Sequence, residues 1–196
     1  MAGRWKLDAS AFNGREPDQH RSEIELRRLD SWSTRLSFNP TSALAMQVST
    51  ARLASPEGHD PGLSLRRTTA SVLSEQPVGH GRLSTTLAYG RNSPSTGTAT
   101  DAWLLDGAFR WNGRHTLYAR AEQVDYEELP GTLEWSRPPT VRKGSLGYEM
   151  DVYHTGDLTV GLGGLMSHHW IPDSLTPFYG PNPDSWTVYL RARITP

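Results

Sequence analysis

At 196 residues the chain is long enough for one large all-β domain, and its 20 basic against 21 acidic residues, net charge −1 and interspersed, leave no clustered basic patch for nucleic acid. The absence of cysteine excludes a disulfide framework, a thiolate metal site and a cysteine nucleophile. No apolar run reaches the roughly 18 residues of a transmembrane helix, a test that transmembrane β-strands escape because only alternate residues of about 9 to 11 per strand need be apolar.

Taken in order, the chain reads as strands of period-2 alternation separated by turn-rich segments, in keeping with 18 Gly, 14 Pro, 7 Trp and 7 Tyr. The opening MAGRWKLDASAFNG lacks the apolar h-region of a signal peptide, so an exported protein would have to be a mature form, an engineered form or the tail of a longer product. Residues 4–13 set Trp5, Leu7, Ala9 and Ala11 against Arg4, Lys6, Asp8 and Ser10. A polar segment follows over 14–30; its EIELRRL part fits either a strand extension or a short helix. Residues 31–39 (Trp32, Leu36 and Phe38 against Ser33, Arg35 and Ser37) and 43–53 form strands around the turn NPTS. Strands at 63–75, the least regular, and 82–92 flank QPVGH.

The clearest hairpin begins at Asp101. Trp103, Leu105, Gly107, Phe109 and Trp111 share one face and Ala102, Asp106, Ala108 and Arg110 the other. Asn112-Gly113 then turns the chain; a type I′ turn needs φ > 0 at both central residues, and these two tolerate it best. The return strand opposes Leu117, Ala119 and Ala121 to Tyr118, Arg120 and Glu122. Residues 141–153, 158–171 and 185–196 complete a count of ten, with Lys143, Glu149 and Asp151, then Arg191 and Arg193, on their polar sides and Trp186 on the apolar one.

The connections alternate as well. Long ones (14–30, 54–62, 92–100, 127–140, 172–184) take turns with short ones (NPTS, QPVGH, NGRH, HTGD). That asymmetry, with an even strand count, belongs to outer-membrane barrels. Trp32, Trp103, Trp170, Trp186 and Tyr89 fall near the long-loop ends, and Trp5, Phe38, Phe109 and Trp111 near the short-turn ends, which implies two membrane-interface girdles. The expected fold is an all-β, antiparallel, up-and-down transmembrane barrel of about ten strands, or the C-terminal ten strands of a larger one, as a single domain over residues 1–196.

The segments AFNGREPDQHR, LDSWSTRLSFNPTSALAMQVSTARL, RRTTASVL and TTLAYGRN resemble the C-terminal part of uncharacterised, porin-like outer-membrane β-barrel proteins of Gram-negative bacteria, across nearly the whole chain. The resemblance implies the bacterial outer membrane, outer-membrane lipid and the assembly machinery as surroundings, and earlier strands beyond this sequence. Many such barrels end in an aromatic residue that the assembly machinery recognises. Here ITP follows the last arginine.

Arg35, Arg82, Asp106, Arg120, Glu122, Lys143, Glu149, Arg191 and Arg193 are the lumen-facing candidates, and Trp5, Trp32, Trp103, Trp111 and Trp186 the membrane-interface candidates. A mixed-sign lumen either passes ions and small polar solutes or is filled by its own charge pairs. Two further readings stay open: an outer-membrane hydrolase acting at the loop end, and a soluble ligand-binding β-barrel. His168-His169 with Asp173 is the nearest thing to a catalytic cluster, yet adjacent strand residues point to opposite faces. No cofactor or metal is called for. The segment 172–184, with four prolines and Phe178-Tyr179, reads as a stiff surface loop or a ligand platform, and Glu16 with Asp18 as a weak cation candidate.

Overall fold

A computed structural model of the chain describes residues 4–15, 28–54, 56, 62–126 and 138–195. Ten strands follow one another: β1 (Trp5–Phe12), β2 (Ser31–Thr41), β3 (Leu44–Ala54), β4 (Ser64–Val78), β5 (Gly81–Pro94), β6 (Thr100–Trp111), β7 (His115–Asp125), β8 (Thr140–Thr155), β9 (Leu158–Trp170) and β10 (Asp184–Ile194). They form one antiparallel sheet in sequential order. The expected number and alternation of strands are therefore present. Most of 14–30 and 127–140, including EIELR, Glu16 and Asp18, lies outside the described residues.

The short turns are tighter than their sequences imply. Asn112 (φ 50°) and Gly113 (φ 65°) occupy the left-handed region as a type I′ turn demands, and the Arg114 N–H reaches the Trp111 carbonyl at 3.3 Å. Gly113→Ala should cost about 1–2 kcal/mol in a denaturant titration, because a Cβ is disfavoured at that φ. In QPVGH only Gly79 and His80 reverse the chain. Pro77 stays in the ladder opposite Arg82, since Gly79 (φ 57°) permits so short a reversal. The alternation of β8 is interrupted by a register shift between Asp151 and Tyr153, which makes Val152 the extra residue of a bulge.

The sheet is open. β1 pairs only with β2 and β10 only with β9, and the two edges do not meet. Closure by ten strands, one of the two expected forms, is not adopted, whereas ten consecutive strands of a larger barrel describe the arrangement directly.

The register gives the strand tilt. Following paired residues from Trp103 in β6 through Tyr89, Ala70 and Val48 arrives at Leu36 in β2, four residues from Trp32 over four strands. From Trp186 in β10 the same walk through Met166, Leu146 and Ala119 arrives at Gly107, four residues from Trp103 over another four. Trp5 walks to Leu105 over five strands, four residues from Phe109 and six from Trp111. Both aromatic lines thus drift about one residue per strand in the same sense. With about 3.3 Å rise and 4.8 Å strand spacing this makes a tilt of about 35°, within the range of closed barrels.

Burial is inverted relative to a water-soluble fold. Among the described residues the only buried hydrophobic side chain is Leu175, in the segment after β9, while Ser31, Thr100, Glu149, Asp151, Thr159 and Ser167 are buried and polar. The large apolar side chains are exposed, Trp186 at 80% and Leu7 at 74%. Two-faced strands produce this directly: the polar face is the enclosed one and the apolar face looks outward.

Candidate functional site

Because directly paired residues share a face, the ladder settles where each candidate stands. Arg35, Arg82, Asp106, Arg120, Glu122, Lys143, Glu149, Arg191 and Arg193 all lie on the enclosed polar face. Trp5, Trp32, Trp103, Trp111 and Trp186 all lie on the apolar face. There Trp5 stacks on Phe38 (4.1 Å between centroids), Tyr89 packs tilted against Trp103 (4.6 Å), and Trp111 stacks between Phe109 (5.7 Å) and His115 (5.3 Å).

Opposite charges on the polar face pair across the sheet. Arg120 Nε donates to Asp106 at 2.7 Å, Lys143 sits 3.6 Å from Glu122, and Arg82 bonds Glu75 at 2.5 Å. These pairs keep a third or more of their cationic ends in water and are worth little to stability. Arg35 has no ionic partner among the described residues, and Arg67 bonds only the amide oxygen of Asn92, at 2.8 Å.

The dense part is nearer the short turns of β6 to β10. Asp151 accepts from Arg110 at 2.6 Å and from Arg193 at 3.3 Å, and Arg191 pairs with Glu149. Glu149 and Asp151 are only 4% and 6% exposed, and each keeps one buried oxygen that faces Arg191 by charge without a hydrogen bond. Tyr189 donates to Glu149 at 3.1 Å and meets the Tyr118 hydroxyl at 2.9 Å.

The two tyrosines lie flat over glycines. A Cβ on Gly147 would collide with the Tyr118 ring and one on Gly163 with Tyr189, while one on Gly161 would stand 3.2 Å from both carboxylates. Tyr118, Tyr189 and Glu75 were not among the residues singled out by sequence. A signal for the first two existed in GLGG, where Gly161 and Gly163 vacate alternate positions between Val160, Leu162 and Gly164. Side-chain reach across two intervening strands cannot be read from spacing.

The histidines separate as the strand period requires. His168, beside Trp170 on the apolar face, pairs with Asp184 at 2.6 Å, and His169 on the other face meets the Pro183 carbonyl at 3.0 Å. Asp173 starts a 3₁₀ turn (Asp173–Leu175) that leads into a one-turn helix, α1 (Thr176–Tyr179). This segment is ordered around the buried Leu175, and Phe178 and Tyr179 remain exposed. At the same end, Gly14 N–H and the Ser31 hydroxyl both donate to Asp30, and Ser31 Oγ accepts from Ala54 N–H at 2.9 Å. The Ser31 bond, then that from Gly14, holds the Asp30 carboxyl below the usual carboxylate range.

No protein-family model matches the chain, and no curated protein sequence matches it significantly. Solved structures do. Pseudomonas aeruginosa OccK8 (OprE) aligns over 97% of this chain and 58% of its own at 12% identity and a TM-score of 0.61. OccK10 (OpdN) of the same organism aligns over 83% and 49% at 16% identity, TM-score 0.57. The fold is that of a stretch of outer-membrane porin barrel. This porin-like sheet spans about half the length of the porins it matches, as OccK5 (OpdH) of the same organism also shows: 83% of this chain, 46% of that one, 13% identity, TM-score 0.57.

Proposed function

We propose that the chain builds part of the wall of a bacterial outer-membrane barrel, with the tryptophan face against lipid and the charged face lining a water-filled passage for ions or small polar solutes. The observation that carries this reading is the inverted burial: carboxylates are enclosed while Trp186, Leu7 and Leu190 are bare. In water so much exposed apolar area would drive association; against acyl chains it is the ground state. The same inversion speaks against a soluble ligand-binding barrel, whose apolar side chains would line the interior. For a hydrolase, the histidines diverge to opposite faces and each already has a local partner.

The free edges of β1 and β10 fit the same picture. Unpaired backbone N–H and C=O groups cannot face hydrocarbon, so within a membrane further strands must continue both edges, in line with a span of about half of each matched porin. On this reading residues 1–196 are part of one barrel domain, inserted by the assembly machinery. The test is conductance of the complete, detergent-folded protein in a planar bilayer. Discrete steps are expected, and a flat baseline from protein shown to be folded would reject the passage.

A further inference from the structure

Arg52, Arg66, Arg91 and Arg142 stand on the apolar face rather than the polar one. Arg52 is directly opposite Trp32, Arg66 opposite Arg52, Arg91 opposite Asp101, and Arg142 opposite Trp170. With a drift of about one residue per strand, Arg52 and Arg91 lie one residue beyond the long-loop aromatic line and Arg66 and Arg142 two. Among the described strand residues no arginine or lysine occupies the corresponding level of that face at the short-turn end.

Two of the four are held within the protein, Arg91 by Asp101 at 3.0 Å and Arg142 by Gln123 at 2.9 Å. Arg52 and Arg66 are exposed and have no partner among the described residues, although they face each other across an antiparallel pair, where like charges repel. An anion between them turns this repulsion into a clamp, and guanidinium groups suit phosphate because they can bond it in bidentate fashion.

We infer that Arg52 and Arg66 bind a phosphate of the lipid headgroups in the leaflet at the long-loop end, with Arg91 and Arg142 continuing the band. Their level decides the source. Directly past the aromatic line is where headgroups sit; a free anion would have no reason to be met beside Trp32. In outer-membrane barrels the longer loops are the extracellular ones, so the occupant is the phosphorylated glycolipid of the outer leaflet. The site rests on the proposed contact of the tryptophan face with lipid, and not on solute passage.

The experiment titrates the complete detergent-folded protein with bisphosphorylated lipid A, with its dephosphorylated form and with inorganic phosphate, and follows retained lipid by native mass spectrometry. The phosphorylated lipid should bind at least about tenfold more tightly than the dephosphorylated one, and Arg52→Gln with Arg66→Gln should weaken it about 25-fold, at roughly fivefold per arginine. Arg67→Gln, next in sequence but on the opposite face, should leave retention of the phosphorylated lipid unchanged. Equal binding of the two lipids, full retention by the double variant, or displacement by millimolar inorganic phosphate would overturn the site. Should the glutamine variant not fold, Arg52→Lys with Arg66→Lys keeps the charge and should weaken binding only a few-fold, and the comparison of lipids on the unaltered protein decides by itself. Protein that binds phosphorylated lipid yet gives a silent bilayer leaves this site standing and removes only the passage.

Discussion

Leu87→Arg should destabilise the protein in lipid by about 2–4 kcal/mol, whereas Thr86→Arg, one residue away, should stay within about 0.5 kcal/mol of the parent. On β5 the two aromatic lines cross near Gly90 and Leu83, which puts Leu87 close to mid-depth with Val72 and Leu105 as its neighbours on the apolar face. A guanidinium there would have to snorkel past three or four residues to reach water. Thr86 points to the other face and stands directly opposite Asp106, so an arginine at 86 gains a carboxylate. Urea titrations in phospholipid vesicles measure both changes. Equal tolerance at the two positions would invert or abolish the orientation proposed for the sheet.

Neutralising both enclosed acids together, Glu149→Gln with Asp151→Asn, should cost about 2–3 kcal/mol and shift the reversal potential under a potassium chloride gradient toward anions. The stability term sits at the low end for a broken buried ion network because Arg110, Arg191 and Arg193 each keep roughly a third or more of their side chains in water. The selectivity term is separate. Three arginines would lose their counter-charges on a face where Arg35 and Arg67 already lack carboxylate partners among the described residues. Loss of stability with unchanged selectivity would make the cluster a filling of the wall and move the passage elsewhere.

The strands were legible because period-2 alternation is local. Trp103 to Trp111 and Trp186 to Ile194 state their faces without help from the rest of the chain, and Asn112-Gly113 states its turn. Reading the face put Asp106, Arg120, Glu122 and Lys143 on one side of the sheet, where the structure pairs Arg120 with Asp106 and Lys143 with Glu122. Three things were not local. Whether ten strands close depends on accumulated curvature, which no residue encodes alone. The bulge at Val152 follows from fitting β8 to β9. The approach of Tyr118 to Tyr189 depends on side chains crossing β8 and β9, which only the glycines beneath them hint at.

Those two tyrosines also have a mechanical consequence. Starting on β7 and β10 and meeting end to end at 2.9 Å, they act as a tie rod drawn across four strands, with Gly147 and Gly163 as the recesses in which it lies. A rod of fixed length fixes the chord, and the chord fixes how sharply these four strands bend. Where a bare sheet would flex, this one carries its radius in two phenol rings.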